Sequence, residues 1–162
     1  MYDIGDKVLY PSHGAGIIEA IEDRVVLGKK QSYYIMRMPS EEMTVMIPKE
    51  SCKEIGVRYI ISQEEAIKVL EAFRTEKITE DDNWNRRQRE NIVKIKSGNI
   101  YQVLGVVKAL MIREREKGLS TSERKMLNMS RQIFVSEIVL SGAASISDVQ
   151  SIMNDTVAEI LK

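Results

Sequence analysis

The hydrophobic pattern of this chain changes period near residue 60. Before that point apolar positions fall in short runs that read as half-buried strands. "KVLYP" at residues 7–11 is a short β run stopped by proline. "GAGIIEAIEDRVV", from Gly14, opens on Ile17 and Ile18 and then alternates with polar residues. "QSYYIMRM" is aromatic and β-branched, and "MTVMIP" repeats the pattern and again stops at proline. Turn signals separate the runs at Pro11-Ser12-His13-Gly14, Leu27-Gly28-Lys29-Lys30 and Pro39-Ser40-Glu41-Glu42. Four or five strands in sixty residues cannot bury both faces as an open sheet. They are expected to curl into a small SH3-like or Tudor-like β-barrel, which removes exposed edges. Gly5, Gly14 and Gly16 suit tight bends or bulges in such a barrel.

After residue 60 the period is 3.6. Ser62 to Glu65 has the form of a capping box, and it opens a run with Ala66, Ile67, Val69, Leu70 and Phe73. A start signal from Thr79 to Asp82 precedes Trp84 and a helix to about Ser97, stopped at Gly98. Asn99 can cap the next helix, whose apolar face is Ile100, Val103, Leu104, Val107, Leu110 and Met111, ending at Gly118. Ser120 to Glu123 is a second box, before Met126, Leu127, Ile133, Phe134 and Ile138, with a stop at Gly142. Ser147 to Gln150 reads as a third, before Ile152, Met153, Val157 and Ile160. The expected fold class is α+β in two domains, a β-barrel over residues 1–60 and a compact five-helix bundle over 61–162.

Composition narrows the function. The 162 residues are 43% hydrophobic and 30% charged, a soluble globular balance. No window reaches the roughly 18 to 20 apolar residues of a membrane span. The opening "MYDIGDKVLYP" lacks the apolar core of a signal peptide, so a cytoplasmic protein with no membrane partner is expected. The single cysteine, Cys52, excludes an internal disulfide and a thiolate metal cluster and reads as a semi-buried structural thiol. The single histidine, His13, excludes a two-His metal site and reads as a turn residue. GxGxxG, P-loop, GxSxG and HExxH motifs are absent. The paired carboxylates Glu41-Glu42, Glu64-Glu65 and Asp81-Asp82 sit at turns and helix starts, where they complement helix dipoles. Met126 and Met153 lie at core spacing. A non-enzyme with no cofactor and no metal is expected.

Net charge is zero, but it is unevenly spread. Residues 84–131 carry +8, between acidic flanks of −4 over 61–83 and −3 over 132–162. That is an electrostatic footprint suited to nucleic acid. Its densest part is "DDNWNRRQRENIVKIKSGN", residues 81–99. The only tryptophan, Trp84, stands at a helix mouth, followed by Arg86, Arg87 and Arg89 and then Lys94 and Lys96. Helix N-termini favour phosphate, arginines make forked phosphate contacts, and a flat aromatic can stack on a base or wedge into a base step. The plainer reading packs Trp84 into the bundle and leaves the arginines as a solvated face. Arg113, Arg115, Lys117, Arg124, Lys125 and Arg131 surround Gly118, interleaved with Glu114, Glu116 and Glu123. They form either a solvated corner or a second phosphate patch.

"VLYPSHGAG", "IPKE", "NWNRR" and "KGLSTSERKML", in this order across the whole chain, resemble the CarD/CdnL family of bacterial transcription regulators. The resemblance implies an N-terminal, Tudor-like RNA-polymerase-interacting domain, similar to a module of transcription-repair coupling factor, and a helical DNA-binding domain. It implies docking on the polymerase β subunit and a tryptophan wedge in the promoter minor groove at the upstream edge of the melted region. The wedge would stabilise the open complex. On this resemblance Trp84 is the wedge, and Arg86, Arg87, Arg89, Lys94 and Lys125 are the accompanying DNA-binding candidates. Arg24 and the edge-strand residues Thr44, Val45, Met46 and Ile47 are the polymerase-binding candidates, with Tyr33, Tyr34 and Arg37 as supplements. Some relatives carry an arginine where this chain has Met46, which implies weaker or more apolar docking. A monomer is expected. The competing class is an interaction adaptor whose barrel binds a partner without DNA contact; it expects Trp84 to be buried.

Overall fold

Among the described residues of the first sixty lie five strands: β1 Lys7–Tyr10, β2 Gly14–Val26, β3 Lys29–Met38, β4 Met43–Pro48 and the two-residue β5 Arg58–Tyr59. They come from a computed structural model that describes residues 1–39, 42–79 and 82–162. The turn signal at Ser40-Glu41 and the Glu80-Asp81 part of the later start signal lie outside the described residues. The strands form one antiparallel sheet in the order β4-β3-β2-β1-β5. β4 and β5 end the ladder and, among the described residues, do not pair with each other, so β4 lies at an edge of the sheet. β2 pairs with β3 from Ile17↔Arg37 to Val26↔Lys29, with a register shift between Ile18 and Ala20. The consecutive Ile17-Ile18 that breaks the sequence alternation therefore sits beside a bulge, where one extra residue resets which face points inward.

The described residues then form six α-helices: α1 Cys52–Ile55, α2 Gln63–Thr75, α3 Trp84–Ile95, α4 Ile100–Glu116, α5 Thr121–Leu140 and α6 Ile146–Ile160. α1 is a single turn packed beside the sheet, and neither it nor β5 is marked in the sequence pattern. The longer helices begin where side-chain oxygens meet orphan amides. Ser62 accepts from Glu65 N, Asn99 from Tyr101 N and Gln102 N, and Ser120 forms a full capping box with Glu123. The third box is displaced. α6 is capped by Ser145, which accepts from Asp148 N, and Ser147 is already inside the helix. Ser145 places Asp148 in the third helical position, as a cap requires, whereas Ser147 does not.

Two cores result. A small one holds Val8, Ile18, Tyr34, Met36, Met38, Ile47 and Cys52 under the sheet. Burial pushes the Cys52 thiol above its ordinary pKa. The larger core fills α2 and α4–α6 and includes Leu9 and Ala15 from the other side of the sheet. The two halves of the chain thus share a core, and α5 is the element that joins them.

The joint uses the "YPSHGAG" segment. Gly14 has φ +120, and a Cβ there would lie 2.9 Å from Ser136 Oγ and 3.0 Å from Met38 Cε. The next amide, Ala15 N, donates to Ser136 Oγ at 2.9 Å. Gln132 Nε2 donates to His13 O at 3.2 Å, so this turn serves α5 through its backbone. Lys7 Nζ donates to Leu140 O at 3.1 Å. At the centre, the Glu137 carboxylate is only 1% exposed and takes both Arg58 guanidinium arms, at 2.6 and 3.0 Å. It also accepts from Ile61 N at 2.9 Å, while Arg58 Nε donates to Gly98 O at 2.9 Å.

Candidate nucleic-acid interface and partner-facing edge

α3 carries the basic motif, and its start is set by Asn83, whose side chain accepts from Arg86 N at 3.0 Å. Trp84 is the first helical residue and keeps 48% of its surface exposed. Beyond it the helix buries a polar stripe, Arg87, Gln88 and Asn91, ending on Ile95. Arg86, Arg89, Lys94 and Lys96 remain on the exposed side, with the exposed apolar Ile92 and Val93 between them.

Arg87 is therefore corrected as a phosphate-contact candidate. Its side chain is 5% exposed and faces Glu123 Oε2 at 3.5 Å. Arg113 approaches the same oxygen at 3.3 Å. The other Glu123 oxygen, Oε1, accepts from Ser120 N and Ser120 Oγ at the start of α5. Two arginines counted in the +8 footprint thus hold α3, α4 and α5 together, and Arg87 positions the helix that presents Trp84. A third cation is also internal. Lys108 is 1% exposed and donates to Phe73 O and Glu76 O, both at 2.6 Å, capping the end of α2. Desolvation lowers its pKa, partly opposed by Glu76. Lys125 is exposed, and neighbouring Arg124 is paired with Glu114 at 2.9 Å.

At the sheet edge, alternation sorts the partner-facing candidates. Thr44 and Met46 face outward, with Met46 40% exposed. Val45 is half-buried against the small core. Ile47 is corrected as a contact residue: it pairs in register with Tyr34 and is fully buried, so it holds β4 down. Tyr33 and Tyr34 are buried too, and Arg37 is exposed and paired with Glu19 at 3.3 Å. Arg24 is exposed and paired with Glu22 at 2.7 Å. It lies opposite Gln31, whereas Thr44 lies opposite Arg37, so the two are about 20 Å apart along β3 at roughly 3.4 Å per residue. The candidates span a strip of sheet.

The described residues hold no group of three or more His, Cys, Asp or Glu placed for a metal ion, and no helix among them is long and apolar enough to cross a membrane.

Comparison with known proteins decides what this assembly is. Residues 2–61 match the model of the CarD-like/TRCF RID domain, and residues 68–154 match that of the CarD C-terminal domain. The chain belongs to the CarD family. A relative from Bacillus subtilis (strain 168), named "Putative transcription factor YdeB", is 38% identical over 138 residues, covering 85% of this chain and 90% of its own. The solution NMR structure of the 72-residue N-terminal domain of Myxococcus xanthus CarD is 34% identical, covers 36% of this chain and 79% of its own, and superposes with a TM-score of 0.33.

Within this CarD-family chain, sequence reading missed the residues that act from inside. Glu123 is visible as a cap but not as the partner of two arginines. Glu137 and Arg58 have no local motif, because they meet across 79 positions. Gln88 and Asn91 lie in a run with no apolar residue to mark a buried face.

Proposed function

We propose that this protein regulates transcription by docking on the RNA polymerase β subunit through its sheet and stabilising the open promoter complex with Trp84. In this reading residues 1–60 form the Tudor-like, polymerase-interacting domain, and residues 61–162 bind promoter DNA. The observation that carries the reading is the half-exposed Trp84 at the start of a helix whose outer side is cationic. An adaptor with no DNA contact expects that indole inside the bundle. The match to a domain shared with TRCF supports a polymerase partner. Thr44 and Met46 on the β4 edge, with Arg24 further along the sheet, are the docking residues. The protein works as a cytoplasmic monomer, without catalysis or cofactor.

The mechanism is differential binding. A ligand shifts closed to open promoter only through its preference for the open form. An aromatic wedge that fits a widened or unstacked minor groove has that preference. Stacking is worth about 1–3 kcal/mol per base. That corresponds to a shift of about five- to a hundredfold. Arg86, Arg89, Lys94 and Lys125 supply phosphate contacts, and Arg87 keeps the wedge helix in place. Docking supplies effective concentration, so a chain of zero net charge need not find DNA unaided.

The test is open-complex lifetime with the cognate holoenzyme. Wild type should lengthen it at least about fivefold, and Trp84→Ala should remove most of that gain while polymerase binding persists. Unchanged lifetime in Trp84→Ala would rule out the wedge. Replacing Arg86 and Arg89 by Gln should flatten the log–log salt dependence by about 0.9 per lost contact. An unaltered slope would remove the phosphate assignment.

A further inference from the structure

α2 and α6 pack side by side, and an open groove runs between them. It holds two adjoining cavities of about 660 and 530 Å³ that share Arg74 and Asp155. None of the lining residues belongs to α3 or to the sheet, so the groove lies outside the surfaces assigned above to promoter and polymerase. We propose that it docks a cationic amphipathic helix of a partner protein.

Length, floor and charge support this. The groove follows α6, whose 15 residues span about 22 Å at roughly 1.5 Å per residue, the length of a helix of about four turns. Its floor is apolar. Leu70, Ala143, Ala144 and Ile152 lie along it, beside Ile67, which is 55% exposed. Ile160, also exposed, continues the apolar side at the far end. Amphipathic helices dock in such grooves through one apolar stripe, which leaves their flanks to meet the walls. Here the walls are acidic. Glu71, Asp148, Asp155 and Glu159 line them, against Lys68 and Arg74. Glu71 is paired with Arg74 at 3.2 Å, and Glu159 with Lys162 at 3.0 Å. With those pairs set aside, Asp148 and Asp155 still outnumber Lys68. Glu64 and Glu65 extend the acidic side along α2, so α2 and α6 carry six acids and two bases, a balance of −4. A helix with cationic flanks is therefore favoured over an anionic one. None of these observations involves Trp84 or the sheet edge, so the groove stands apart from the promoter reading.

The experiment is an NMR titration of the isotope-labelled full chain with three synthetic peptides at fixed pH and ionic strength. The first is a helical peptide with a leucine stripe flanked by lysines. The second has the same composition with the leucines scattered, and the third has glutamate in place of lysine. The expected result is a saturable shift of α2 and α6 amides with the first peptide. Both other peptides should bind at least tenfold more weakly. Ile67→Asp, which spoils the floor, and Asp155→Lys, which reverses a wall charge, should each weaken the first peptide at least tenfold. Both side chains are exposed, and either variant suffices should the other fail to fold. Equal binding of the scattered peptide would overturn the proposal, since charge alone would then account for it. So would shifts centred outside α2 and α6, or unchanged binding in a folded variant. Self-association of the chain without peptide, abolished by Asp155→Lys, would also overturn it, by giving the groove to a second copy.

Discussion

Helix α5 carries two buried glutamates that do opposite things. Glu137, near its C-terminal end, meets three well-directed donors, two from Arg58 and one from Ile61. Glu123, in its first turn, is shared between a helix cap and two arginines at 3.3 and 3.5 Å. Its Oε2 meets those arginines at ion-pair distance without a hydrogen bond of good geometry. The first site is saturated and fixes the sheet to the bundle. The second divides one carboxylate between a helix cap and the ion pairs that join α3, α4 and α5. A buried charge contributes rigidity only when its hydrogen bonds are complete, and a half-satisfied network leaves room for movement. The contrast places the carboxylate with complete hydrogen bonding at the sheet end of α5 and the shared one at the end nearer Trp84.

Three substitutions test that contrast by urea denaturation. The largest loss is expected for Glu137→Ala, about 3 kcal/mol, the lower end for breaking a buried ion pair because Arg58 keeps some contact with water. Gly14→Ala should follow at about 2 kcal/mol, since the left-handed backbone and the approach to Ser136 both resist a methyl group. Glu123→Gln should cost least, about 1 kcal/mol, because it keeps a capping oxygen and loses only loosely formed charge contacts. If Glu123→Gln matched Glu137→Ala, the two carboxylates would contribute equally to stability and the contrast would fail. Hydrogen exchange sharpens it further: Glu123→Gln should speed exchange in α3 and leave β1 and β2 unaffected.

The strands and the longer helices were readable because their periods are clean. The apolar face of α4, from Ile100 to Met111, is one example, and the Ser120–Glu123 box is another. Trp84 was readable as a candidate because it stands among polar residues at a helix start. Arg87 was misread for the same reason. In "NWNRRQREN" hydropathy cannot separate the inner side from the outer, because the inner side is itself polar and depends on Glu123, 36 positions away. Ile47 was misplaced for a simpler cause: strand alternation puts Thr44 and Met46 on one face and Ile47 on the other, so a continuous run of contact residues was never available. β5 is two residues long and is held by pairing with Val8 and Leu9, which no local pattern encodes.

The Arg58–Glu137 lock also makes the molecule a ruler. Under the proposed function, the docking sheet and the Trp84 helix are two marks at a set separation. Promoter DNA advances about 3.4 Å per base pair and turns once in about 10.5. Inserting a single base pair between the polymerase contacts and the melted edge would rotate the minor groove away from the indole by about a tenth of a turn. Promoters would then be selected by where the bubble begins more than by which bases lie under the tryptophan.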